Sequence, residues 1–344
     1  MNRLLLGCAC GIGALTACLA LSAGALSRPG VEEQQLLKRV DTIQLKGASG
    51  PLDHLFVDSK HARLFVANQS NNTLDVVDLK TNKLAKQIPE QKEIHGIAYV
   101  ADLDRIFVGN GGGVCNAIDG KDYTLLKSVS VKDADNVHYD PRTNQVYVAG
   151  EKDMAVIDAK SLKLTTTIKL PASPEGFQIA IERSRLYVNV GPKFEVVVID
   201  TEKNEVVSRH PLKADKGIET LALDEANKRI FVGFRGEPRI VILDLDSGKE
   251  LTSVVIPEGI DDMFFDAKAR RIYASCGSGY VAVVRQIDAD HYELAAKVET
   301  IKGAKTSYYD AATARLYLAV PRQEGKEGPE IWVYQANPSK GRVR

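Results

Sequence analysis

The chain has little cysteine, tryptophan or methionine: five Cys, one Trp and three Met in 344 residues. Three of those cysteines, Cys8, Cys10 and Cys18, fall in the first 18 residues, so only Cys115 and Cys276 remain for the rest of the chain. Two distant thiols exclude a disulfide-stapled scaffold; they read as isolated, semi-buried thiols, with a bridge or a metal thiolate as the sharper alternative. Excess charge of either sign is also missing, since 45 Lys and Arg balance 45 Asp and Glu. That leaves no basic footprint for nucleic acid and no polybasic membrane patch. The common catalytic signatures are absent: no His-Glu-x-x-His, no Cys-x-x-Cys-His, no Gly-x-Ser-x-Gly elbow, no phosphate loop opening a helix. The glycine-rich stretch from Gly109 to Gly113 lies between two strand-like runs and reads as a turn.

Long apolar runs are confined to one place. Met1-Asn2-Arg3 is a short positive segment, and Leu4 to Leu21 carries no charge. Ala23-Gly24-Ala25 supplies the small residues of a secretory cleavage site, which predicts a signal peptide over residues 1–25. Leu15-Thr16-Ala17-Cys18 resembles a lipobox, in which case the leader ends at residue 17 and Cys18 carries lipid. An uncleaved anchor over Leu4 to Leu26 is the third route. All three export the protein, to the periplasm or outside the cell, and touch a membrane only through the leader.

What is present is a repeat. Arg63-Leu64-Phe65-Val66 returns at Arg105, Gln145, Arg185, Arg229, Arg271 and Arg315, with 40 to 44 residues between successive copies. Between copies lie β-branched and aromatic runs separated by turn residues, four runs to a unit. Seven strand-only units of this length predict an all-β, seven-bladed β-propeller over residues 36–337, followed by a tail of residues 338–344. Ile or Val before Asp closes the third run of most units, as in Val77-Asp78 and Ile157-Asp158; these carboxylates precede turns and are expected to cap them. The seventh unit lacks a fourth run, whereas Arg39-Val40-Asp41-Thr42-Ile43 is strand-like. The N-terminal segment is therefore expected to complete the last blade and remove an open sheet edge.

Phe65-Val66-Ala67-Asn68 and Tyr187-Val188-Asn189, each followed by a valine-rich run ending in Asp, resemble the YVTN-repeat family of bacterial seven-bladed propellers. The likeness covers all seven units. It implies an exported or cell-surface propeller, often of undefined activity, with nucleic-acid binders and lactonase-type enzymes among similar folds. It fixes no functional residue in this chain.

Counting back from the repeat anchor places candidate site residues. Ten positions back, at the entrance of each inner strand, stand Asp53, His95, Asp135, Glu175, Glu219, Asp261 and Lys305. Nine back stand His54, Gly96, Asn136, Gly176, Thr220, Asp262 and Thr306. Turns expected on the same face add Asn68, Asn110, Glu151, Asn189, Arg235 and Arg322, and Gln178 interrupts an otherwise apolar strand. One end of the channel is thus expected to carry a polar, mostly acidic ring. His54, His95 and His138 fall on consecutive blades, and Asp53, His54, His95 and Asp262 form a candidate set for a divalent cation, Ca²⁺ or a transition metal. His61, His210 and His291 read as surface residues.

Two functions follow. In the first, a monomeric propeller of the cell envelope presents its channel face to a small molecule or an envelope protein. In the second, a metal-dependent, lactonase-type hydrolase uses a channel cation to polarise a carbonyl.

Overall fold

A computed structural model describes residues 36–48, 50–213 and 217–337. The leader and the tail lie outside the described residues. Among the described residues no helix is long and apolar enough to cross a membrane.

Each repeat folds into one four-stranded antiparallel sheet, and seven such sheets are present. In blade 1 the strands run Leu55–Asp58, Arg63–Asn68, Thr73–Asp78 and Lys83–Ile88, innermost to outermost. The inner three are almost wholly buried, while the outermost alternates between exposed and half-buried residues. This gradient explains the composition: inner strands need near-continuous Val, Ile, Leu and Phe because both sheet faces are covered. Blades 2 to 6 repeat the order, with inner strands beginning at Ile94, Val137, Phe177, Ile218 and Ile260.

Seven hydrophobic clusters hold the blades together, and each straddles two neighbours. The one between blades 3 and 4, for example, packs Tyr147, Val156 and Ile168 against Phe177, Leu186 and Val197. A ring has no end only if the first and last blades also meet. Leu37–Gln44 pairs antiparallel with Glu330–Ala336, with Leu37 opposite Ala336 and Ile43 opposite Ile331, and so becomes the outer strand of blade 7. Ile43, Leu45 and Leu52 then share a cluster with Tyr317 and Val333.

The strand-end aspartates cap turns. Asp78 accepts the Lys80 N–H at 2.7 Å, Asp158 that of Ser161 at 2.6 Å, and Asp244 that of Ser247 at 2.9 Å. Cys115 and Cys276 are both free and fully buried, so neither a bridge nor a half-exposed thiol forms. His210 is likewise buried rather than superficial: its outer strand tucks the ring against Gly248.

Candidate functional site

The inner strands converge on one cavity of about 630 Å³ in the central channel. All seven residues ten positions before the anchor line it: Asp53, His95, Asp135, Glu175, Glu219, Asp261 and Lys305. Main-chain bonds hold these entrances in place, as where Asp53, Asp135 and Glu175 donate their N–H groups to Ala67, Ala149 and Asn189 at 2.8–2.9 Å. In blades 2, 5 and 6 the inner strand is irregular at this point, between Ile94 and Ile97, Ile218 and Leu221, and Ile260 and Asp262. Such irregularities re-aim side chains at the rim of a sheet. Glycine serves a second need: a Cβ on Gly96 or Gly176 would lie within 3 Å of the next blade's backbone, so only glycine lets the inner strands come this close.

Of the residues nine positions before the anchor, His54, Asn136, Thr220 and Asp262 also line the cavity. Thr306 does not; it is buried just before its inner strand begins, with its hydroxyl 3.5 Å from the Leu52 carbonyl. Ser307 takes its place on the cavity wall. Of the turn residues, only Arg235 reaches in. Asn68, Asn110 and Asn189 are fully buried and bond within or between blades, Glu151 pairs with Lys132 on the surface, and Arg322 donates to Lys326 in its own loop.

The mouth is a chain of ion pairs. Glu219 lies 2.6 Å from Arg235, which also contacts Asp261, and Asp261 meets Lys305 at 3.0 Å. In the next stretch Asp262 accepts the Ser307 N–H at 2.8 Å and faces His54 Nδ1 at 3.2 Å. His54 Nε2 lies 3.6 Å from Asp53, and Asp53 holds His95 Nδ1 at 2.6 Å. His95 is then 3.9 Å from Asp135, beyond ordinary hydrogen-bond reach. The Glu175 carboxylate has no ion-pair or hydrogen-bond partner among the described residues.

Electrostatics follow this geometry. Burial alone would push the His54 imidazole down, but Asp262 and Asp53 together raise it to about 10. His95 is raised, against burial, by Asp53 and then Asp135. Burial favours a neutral Asp53, yet His54, His95 and Lys305 hold its carboxyl below the usual range. Across the channel the signs reverse. Glu175 is pushed up to about 7 by burial and by Asp135. Asp135 is raised by burial and by Asp53. Burial carries Glu219 to about 7 in spite of Arg235. His138 is lowered to about 4 by burial and by His54, so it is neutral at physiological pH.

The four residues expected to ligate a cation do come together, but as charge partners of one another. Both ring nitrogens of His54 face carboxylates, Asp262 at 3.2 Å and Asp53 at 3.6 Å. Among the described residues no group of three or more His, Cys, Asp or Glu side chains is arranged to hold a metal ion.

Below the rim lies a tier that the rim count did not select. Seven positions before the anchor stand Phe56, Ala98, His138, Gln178, Ala222, Phe264 and Tyr308. Tyr308 meets Phe56 at 5.2 Å and Phe264 at 5.7 Å between ring centroids, giving blades 6, 7 and 1 an aromatic wall. Opposite it, His138 rests on Phe177 at 4.5 Å. The same counting, carried three residues further along the strand, would have found this tier.

A seven-bladed β-propeller with a charged mouth and a partly aromatic channel is the class of protein defined here. No family model matches the chain. It is similar to the uncharacterized protein YncE of Salmonella typhimurium, 26% identical over 196 residues, which cover 55% of this chain and 54% of that protein. The YncE of Escherichia coli (strain K12) is 31% identical over 133 residues, 36% of this chain and 37% of that protein. The chain thus spans about half, or less, of the length of these relatives. Among solved structures, a chain of Kuenenia stuttgartiensis hydrazine synthase superposes with a TM-score of 0.71 at 18% identity, covering 81% of this chain and 95% of that one. At that identity the likeness shows the fold alone.

Proposed function

We propose that this propeller is a binding protein whose ligand is a small molecule seated in the channel mouth. The observation that carries the reading is the cavity itself: about 630 Å³, walled by inner strands of the propeller, with an aromatic side and polar groups left without partners. Asn136, His138, Gln178, Thr220 and Tyr308 all line it, and none has a side-chain hydrogen bond among the described residues. These groups face the open cavity and not the packed interior, so their bonding capacity is available to what enters it. The size suits a molecule of drug-like dimensions. The YVTN-like repeats and the apolar leader support placing this activity in the bacterial envelope.

A library of small fragments of either charge, observed by ligand NMR, tests the reading. Fragments that bind the mouth lose signal with the wild-type protein and regain it with Gln178→Trp, whose indole fills the channel. If no fragment distinguishes the two proteins while both remain folded, the mouth is not a ligand site. The propeller would then act through another surface.

A further inference from the structure

The mouth is not evenly equipped, and the uneven part indicates a ligand class. Resting on the small-molecule reading above, we infer that the ligand is an organic cation, a protonated amine on an apolar body. Its charge sits against Asp135 and Glu175, and its body lies along the Phe56–Tyr308–Phe264 wall.

Four groups in the cavity can carry positive charge: His54, His95, Arg235 and Lys305. Each already contacts a carboxylate within 3.2 Å. Little cationic capacity is left for an anionic ligand. The unmatched groups are acidic or neutral. Asp135 and Glu175 occupy equivalent entrances on adjacent blades; one has only His95 at 3.9 Å, and the other has no partner among the described residues.

A second observation comes from the next blade. Thr220 is 7% exposed and lines the cavity, yet its hydroxyl has no partner among the described residues. Its backbone packs on the residue after Glu175, since a Cβ on Gly176 would lie 3.0 Å from Thr220 Cα. The Thr220 hydroxyl is open only to the cavity, so it is free to bond whatever occupies it. An ammonium with three N–H donors can satisfy two carboxylates and a hydroxyl at once. His138, neutral beside them, adds no repulsion. The aromatic wall then favours an apolar body.

Other ligand classes fit less well. A bare metal ion lacks a converging set of three ligands among the described residues. A neutral polyol would leave both carboxylates uncompensated.

Three probes of one shape read the charge preference: benzylamine, benzyl alcohol and benzoate, titrated by calorimetry or NMR at pH 8. Benzylamine should bind at least tenfold more tightly than benzyl alcohol, about 1.4 kcal/mol, with benzoate weakest. Asp135→Asn/Glu175→Gln should erase that preference by bringing the amine down to the affinity of benzyl alcohol, and Thr220→Val should weaken the amine. Benzyl alcohol or benzoate binding as tightly as the amine would overturn the cation assignment and leave the mouth as a site. So would a mouth that binds other fragments, released by Gln178→Trp, but none of these three. No fragment binding at all would sink both readings.

Discussion

Two arcs of the same ring behave differently. From blade 5 through blades 6, 7 and 1 to blade 2, the mouth is self-neutralised: Glu219, Arg235, Asp261 and Lys305 form one run of contacts, and Asp262, His54, Asp53 and His95 form another. Across blades 3 and 4 the run stops. Asp135 and Glu175 stand in the same entrance position as Asp53 and Asp261, but among the described residues no cation lies within 3.5 Å of either. A position in a repeat therefore does not determine chemistry; the side chain that the neighbouring blade contributes does. The closed arc stabilises the ring because its bonds cross blade boundaries. The open arc contributes no such bond, and the two carboxyls oppose each other's ionisation.

The sharpest way to break this comparison is to remove one acid from each arc. Asp262 is 7% exposed and joins blade 6 to the Ser307 N–H of blade 7 and to His54 of blade 1. Asp262→Ala leaves a buried N–H and an imidazolium without their acceptor, and should cost about 3 kcal/mol in urea unfolding. Asp135→Ala, with a side chain 39% exposed and its one cation at 3.9 Å, should change stability by less than about 0.5 kcal/mol. Equal losses would show that the two arcs are not distinct.

How far the sequence anticipates this arrangement depends on what each feature requires. The blade count, the capping aspartates and the pairing of Leu37–Gln44 with the last blade follow from local patterns: period, turn chemistry and an unmatched strand. The entrance residues follow too, because a fixed offset from Arg63 or Arg105 is a fixed place in the blade. Pairing is another matter. Nothing in the string Pro174-Glu175-Gly176 says that Arg235, one blade on, turns to Glu219 and Asp261 and leaves Glu175 alone. Nor does a fixed offset say that Thr306 turns to the Leu52 carbonyl while Ser307 lines the cavity. The metal expectation used residue types without partners: His54 and His95 are ligand-like in sequence, but each ring is 3.2 Å or closer to a carboxylate.

A smaller effect distinguishes the arcs by pH. His54 belongs to the closed arc, and its folded pKa is raised to about 10. A raised imidazole stabilises fully below its unfolded value near 6.5 and loses that contribution as pH climbs through about 10. Wild type should therefore lose roughly 2 kcal/mol between pH 7 and 10, after allowance for solvent screening. His54→Gln should start lower at pH 7 and decline less over the same range. Parallel pH profiles for the two proteins would mean that His54 is not held charged by Asp262 and Asp53.

The open arc should show the opposite response, in milder form. Glu175 has its carboxyl raised from 4.5 to about 7, so ionising it costs the folded state. The penalty is absent below about pH 4, grows as pH rises past the unfolded value, and is complete above about 7. Glu175→Gln removes the charge and keeps the shape. It should leave the melting temperature unchanged at pH 4 and raise stability at pH 8 by about 1 kcal/mol, the shift discounted for a half-buried group. Asp135 from blade 3 and Glu219 and Arg235 from blade 5 are the charged groups facing it. A cation bound between Asp135 and Glu175 would cancel the same penalty. With benzylamine saturating the wild type at pH 8, the advantage of Glu175→Gln should vanish, because the ligand then does for the carboxylates what Arg235 and His54 do in the closed arc. If the variant is no more stable than wild type at pH 8 without ligand, Glu175 already has a partner and blade 4 belongs with the closed arc.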